Sequence, residues 1–188
     1  RVTAMVGAQP EASRTALLRR RVKIIVAVTI GYNVIEGIIA LIAGAAADSA
    51  ALIGFGLDSG VEVLSATAVA WQFTRRDPER FEKPVLRVIA FAFFVLAAYT
   101  IVGSTLSLTG VTTPESSNVG IVLAAVSVVV MPFLSVLERR TGRELGSATV
   151  VADSKQTLIC SLLSAAVLLG LVANAAFGWT WADALAAS

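Results

Sequence analysis

Two carboxylates, Asp58 and Glu62, stand four residues apart within residues 49–71, a stretch that holds no other charged side chain. That spacing puts both on one face of a helix, one turn apart. The stretch is long enough to cross a bilayer, where an Asp at the centre of a span costs about 3 kcal/mol to insert. A second like charge beside it adds repulsion. Something must offset the pair: a cation, a proton or a basic partner helix.

The composition fits a bilayer solvent. The chain has 188 residues, of which 56% are hydrophobic, and a mean hydropathy of +0.81. This is enough for several spans in one compact membrane domain. The single Cys excludes an intrachain disulfide, and the absence of His leaves any metal site to be built mainly from oxygen donors. No phosphate-binding loop and no nucleophile paired with a base is found. The chain reads as a non-enzyme without a nucleic-acid partner or a tightly bound cofactor.

The elements that must position the pair form an all-α polytopic bundle. Spans are predicted at about 22–44, 49–71, 85–108, 119–136 and 147–173, with a sixth opening at 181–188. Residues 1–20 read as a mobile, basic segment leading into a short interfacial helix, and residues 21–188 as the transmembrane domain. Charged loops are expected at 75–84, delimited by Pro78 and Pro84, and at 138–144. Span 4 carries Pro132, where a bundle tolerates a kink. The 3–4 connection holds one charge, Glu115, and Trp179 and Trp181 read as belt residues at an interface. The chain begins without Met and ends inside an apolar run, as a trimmed sequence would. Its first apolar run is too long for a cleavable signal and continues as a span.

Charge placement predicts the topology. Of the 15 Lys and Arg residues, all but Lys155 lie in the N-terminal segment, in the 2–3 loop with adjoining Arg87, or in the 4–5 loop. The positive-inside rule puts those three regions in the cytoplasm and the protein in the inner, or plasma, membrane.

With that topology, the polar residues of different spans come to similar depths. Asn33 and Glu36 share a face of span 1, and Glu36 matches Asp58 in depth at about 1.5 Å per residue. Glu62 lies a turn deeper. Gln156 and Cys160 of span 5, again four apart, reach the level of Glu62. Asp58, Glu62, Gln156 and Cys160 thus make a candidate four-donor cation site of hard oxygens with one soft sulfur. Several of these residues also have plainer readings. Asn33 and Glu36 serve equally as interhelical hydrogen-bonding groups, Gln156 likewise, and Cys160 as a small packing residue. Asp153 and Lys155 lie near the cytoplasmic end of span 5, where Lys155 can snorkel and pair with a carboxylate.

The chain resembles the cation diffusion facilitators, a family of proton-coupled divalent-metal exporters. The resemblance rests on Asn33-Val34-Ile35-Glu36-Gly37, on Asp48-Ser49-Ala50-Ala51-Leu52 and the following Leu57-Asp58-Ser59-Gly60-Val61-Glu62, and on Gly146 to Gln156 with its Ala152-Asp153-Ser154 run. It implies that Asp58 and Glu62 fill the span-2 metal pair and that Gln156 and Cys160 stand where the family has His and Asp. It further implies a homodimer, divalent cation as cargo (zinc first, then manganese, iron, cobalt or cadmium) and proton antiport by alternating access. With no imidazole, proton carriage is expected to fall to a carboxylate among Asp58, Glu62 and Glu36, with Asn33 and Asp153 in support. Most members carry a cytoplasmic metal-sensing domain after the spans, so this chain reads as a short form or a trimmed one. Two rival readings are a membrane assembly or regulatory subunit that kept the fold, and a proton-coupled transporter of another solute.

Overall fold

The computed structural model describes residues 2–108 and 117–179. The expected opening of the sixth span at 181–188, Trp181 and Glu115 lie outside them. The described residues form five α-helices: α1 (Val2–Ala46), α2 (Ala50–Gln72), α3 (Glu82–Leu108), α4 (Asn118–Leu145) and α5 (Ala148–Phe177), with a short 3-10 turn at Glu79–Phe81 before α3. Four of them, α1 from Ser13 onward, α2, α4 and α5, are long and apolar enough to cross a membrane.

The helices start where the chain supplies a cap. Ser49, Ser117 and Ser147 sit in extended conformation ahead of α2, α4 and α5, and each side-chain oxygen accepts a backbone N–H of the first turn, from Leu52, Gly120 and Val150. The two serines inside the family-like runs, Ser49 and Ser147, are therefore helix caps. Between α4 and α5, Gly146 takes a left-handed conformation (φ 70°) that suits glycine. Its N–H bonds Arg143 O, and Ser147 N–H bonds Gly142 O.

Three boundaries differ from expectation. α1 runs unbroken from Val2, so the expected mobile tail is helical. α4 continues through the whole of 138–144, which is helix and not loop, because Ser127, Met131, Leu134, Ser135, Glu138 and Thr141 keep one buried face going at helical spacing. α5 runs on to Phe177, and Gly178 (φ 67°) ends it. Pro132 lies inside α4 without ending it.

α1 with α2 and α4 with α5 form two hairpins that pack together through α1–α4 and α2–α5, while α3 lies outside against α2, with a lesser contact to α5. α1 and α2 approach closely at glycines: a Cβ on Gly56 would stand 2.8 Å from Leu41 Cγ, and one on Gly37 would stand 3.2 Å from Gly56 O. The usual arrangement of polar and apolar groups is inverted. Large apolar side chains such as Phe91, Phe94, Val129 and Leu169 point outward, and polar ones fill the axis, as a lipid solvent requires.

The antiparallel order gathers the basic residues of α1, of the α2–α3 connection and of the end of α4 at one end of the bundle. Arg14 pairs with Glu144 there at 3.7 Å. Glu82 of α3 accepts the free N–H groups of Ala148 (2.6 Å) and Thr149 (3.3 Å) at the start of α5. An apolar cluster including Val22, Val26, Val69, Phe73 and Val150 closes this basic end. A second, with Ala40, Leu52, Phe55, Ala124 and Leu171, closes the far end.

Candidate functional site: a polar column between two apolar seals

Between the two clusters runs a column of buried polar side chains contributed by all four inner helices. Its register comes from α2 against α5. The Ser65 hydroxyl donates to Asp153 Oδ1, and the Cys160 thiol lies in electrostatic contact with Asp58 and Glu62. Antiparallel helices pinned at both points set Glu62 opposite Gln156. Asp58, Glu62 and Cys160 thus lie near one another at mid-bundle, and Gln156 shares their level, each residue at most 2% exposed.

Three of them carry buried atoms without partners. Asp58 Oδ1, both carboxylate oxygens of Glu62 and both amide atoms of Gln156 are buried without a hydrogen-bond partner. A buried unpaired polar group costs about 1–3 kcal/mol, more when charged. Natural proteins leave such groups where a ligand or a transient partner completes them. No ion pair involves Asp58 or Glu62 among the described residues, so no basic partner helix neutralises them. The donors do not converge on a point: among the described residues, no three His, Cys, Asp or Glu side chains are gathered closely enough to chelate a metal.

Glu36 behaves differently. It lies level with this site, as the Ser59 hydroxyl donates to its Oε2 at 3.0 Å. Tyr32 donates to its Oε1 at 2.9 Å, and Ser127 of α4 also interacts with it. It is a satisfied acceptor that ties α1, α2 and α4 together. Asn33 donates to Thr29 O at 2.9 Å, and its Oδ1 is unpartnered. A groove of about 570 Å³ between α1 and α4 reaches Tyr32 and Glu36 but not Asp58 or Glu62. Lys155 is exposed on α5, away from the column, as a snorkelling residue would be.

One column residue was missed from the sequence. Glu138, only 1% exposed, accepts from Thr29 at 2.9 Å and from Thr157 at 3.2 Å. Its neighbours Arg139 and Arg140 give the sequence around it the look of a charged loop. The signal that finds it is periodicity: it falls on the buried small and polar face already carrying Ser127, Met131 and Ser135.

Four helices long and apolar enough to cross a membrane thus bury unpaired carboxylate and amide atoms at their centre. The chain belongs to the cation efflux transmembrane domain family, whose sequence profile matches residues 23–188. It is 25% identical over 170 residues to the magnetosome protein MamB of Magnetospira sp. (strain QH-2), an alignment covering 85% of this chain and 56% of MamB. The chain thus spans about half the length of that curated relative.

Proposed function

We propose that the protein is a divalent-cation efflux transporter whose cargo binds between α2 and α5. The observation that carries this is the set of unpartnered buried donors on Asp58, Glu62 and Gln156, in a chain of the cation efflux family. Asp58 and Glu62 supply the two charges that a divalent cation neutralises, Gln156 a neutral oxygen, and Cys160 a thiolate. The donors converge on the cation as it enters. The oxygen-rich set with one sulfur accepts zinc first, and manganese, iron, cobalt or cadmium are admissible by the same chemistry.

The apolar seals give alternating access a physical form. The cluster at the basic end opens toward the cytoplasm and the one at the far end toward the outside, never both at once. Positive-inside placement orients the protein in the inner membrane with its N-terminus cytoplasmic. A second copy of the chain forms a homodimer. A carboxylate of the column returns the proton in exchange for metal. The protein performs no covalent chemistry.

The test is flux. Proteoliposomes loaded with a zinc-sensitive and a pH-sensitive dye should show zinc movement with opposite proton movement, and Asp58→Asn should abolish both. Proton flux without any dependence on a divalent metal would favour a transporter of another solute. No flux of either kind would favour an assembly or regulatory subunit.

A further inference from the structure

Below the Asp58/Glu62 level, toward the basic end, the column holds a second pair of carboxylates that the transport site does not use. Asp153 of α5 and Glu138 of α4 are each 1% exposed. Of the charged groups acting on Glu138, Asp153 is the strongest and Glu62 the next. Neither carboxylate is in an ion pair among the described residues, so two acids are buried with no basic counterpart. Asp153 Oδ1 is engaged by Ser65, but its Oδ2 is buried and has no partner. That orphan oxygen marks an unfilled position, just as the orphans on Glu62 do.

The surroundings suit a hard cation. Thr29 and Thr157 bond the two oxygens of Glu138, and Ser65 bonds Asp153. Thr157 also has an alternative acceptor, the Asp153 carbonyl at 3.2 Å, so its hydroxyl hydrogen can turn away and leave its oxygen free. The donor set is then two carboxylates and up to three hydroxyls, with no nitrogen or sulfur, the kind that manganese- or magnesium-like ions prefer. Ser65 lies seven residues, about 10 Å along the helix, from Asp58, with Glu62 between.

We propose that Glu138 and Asp153, with Thr29, Ser65 and Thr157, form a second, all-oxygen cation station, at which a divalent cation leaving the basic end sheds part of its water before passing through Glu62 to the site at Asp58 and Cys160. The station's place on a route rests on the transport reading; its capacity to bind does not. Two stations of different softness would let the outer one select by its sulfur what the inner one admits by charge.

The experiment counts bound Mn2+ by electron paramagnetic resonance on purified full-length protein. It compares wild type, Asp58→Asn with Glu62→Gln, Glu138→Gln with Asp153→Asn, and all four changes together, each checked for a monodisperse, helical state. The Asp58/Glu62 variant should still bind Mn2+, with affinity reduced no more than about tenfold, and the quadruple variant should bind none. If the Asp58/Glu62 variant binds no Mn2+, or if binding survives in the quadruple variant, the second station is overturned. Should the Glu138/Asp153 changes prevent folding, Thr29→Val with Thr157→Val in the Asp58/Glu62 background replaces them. Loss of the remaining Mn2+ binding then supports the station, and its retention unchanged contradicts it. The transport reading fails separately: Cd2+ added to wild type would give no thiolate-to-metal ultraviolet band, and Asp58→Asn with Glu62→Gln would leave zinc binding unchanged.

Discussion

At the scale of single residues, the structure separates carboxylates that look alike in the sequence. Glu36 and Glu62 are both buried acids in apolar helices. Glu36 is met by hydroxyls from Tyr32 and Ser59, whereas Glu62 is met by none that reaches its oxygens. The first holds helices together, and the second is left without a partner. The i, i+4 spacing made Asp58 and Glu62 legible before any coordinates, because a paired charge in a span demands a partner. Glu138 was not legible in that way. Flanking arginines made it look like part of a solvated run, and only the helix register shows that it turns inward while Arg139 and Arg140 turn out. In the proposed site the Cys160 sulfur biases the choice of cation toward softer ions. Cys160→Ser should weaken Cd2+ binding relative to Mn2+ by at least about tenfold, equal to ~1.4 kcal/mol, measured by competition calorimetry. An unchanged preference would remove Cys160 from the site.

At the scale of elements, hydropathy marks the cores of α1, α2, α4 and α5 and misses several of their ends. α4 outlasts its apolar run by two turns because its inward face stays small or polar and packed through Thr141 and Gly142, while its charged residues lie outside. α1 reaches back through a basic stretch for which composition suggested a tail. Ser49 and Ser117 cap α2 and α4 at the far end, and Ser147 together with Glu82 holds the start of α5 at the basic end. That carboxylate crosses from α3 to the open N–H groups of α5 and so fixes the helix bearing Asp153, Gln156 and Cys160. Glu82→Ala should lower unfolding stability by about 0.5–2 kcal/mol, as loss of a cap does, while leaving the number of metal ions bound unchanged. A chemical or thermal unfolding series with parallel calorimetry checks both parts. A loss of stoichiometry without loss of stability would put Glu82 in the binding machinery instead.

At the scale of the whole molecule, the charges sort by end and the polarity sorts by radius. Basic residues collect at one end, apolar side chains face outward, and polar ones stack along the axis between two apolar seals. The sequence announced the first pattern through its loops. It could only hint at the second, since an inward face is defined by neighbours that no single helix contains. The proposed orientation rests on the first pattern. A cysteine introduced as Arg76→Cys, at an exposed position of the basic end, should react with a membrane-impermeant maleimide in inside-out vesicles and not in intact cells. Cys160, buried within the bundle, should stay unlabelled in both. Labelling from the outside would invert the protein and, with it, the direction assigned to transport.

In the proposed site a divalent cation completes the unpartnered donors on α2 and α5. Calorimetry tests it most directly, titrating zinc, manganese, cobalt and cadmium into purified wild type and into Asp58→Asn with Glu62→Gln. Saturable zinc binding in wild type, lost in the double variant, is the predicted result. Wild type that binds none of the four metals would contradict the account, leaving the family fold intact and its central carboxylates to carry protons or to serve an assembly.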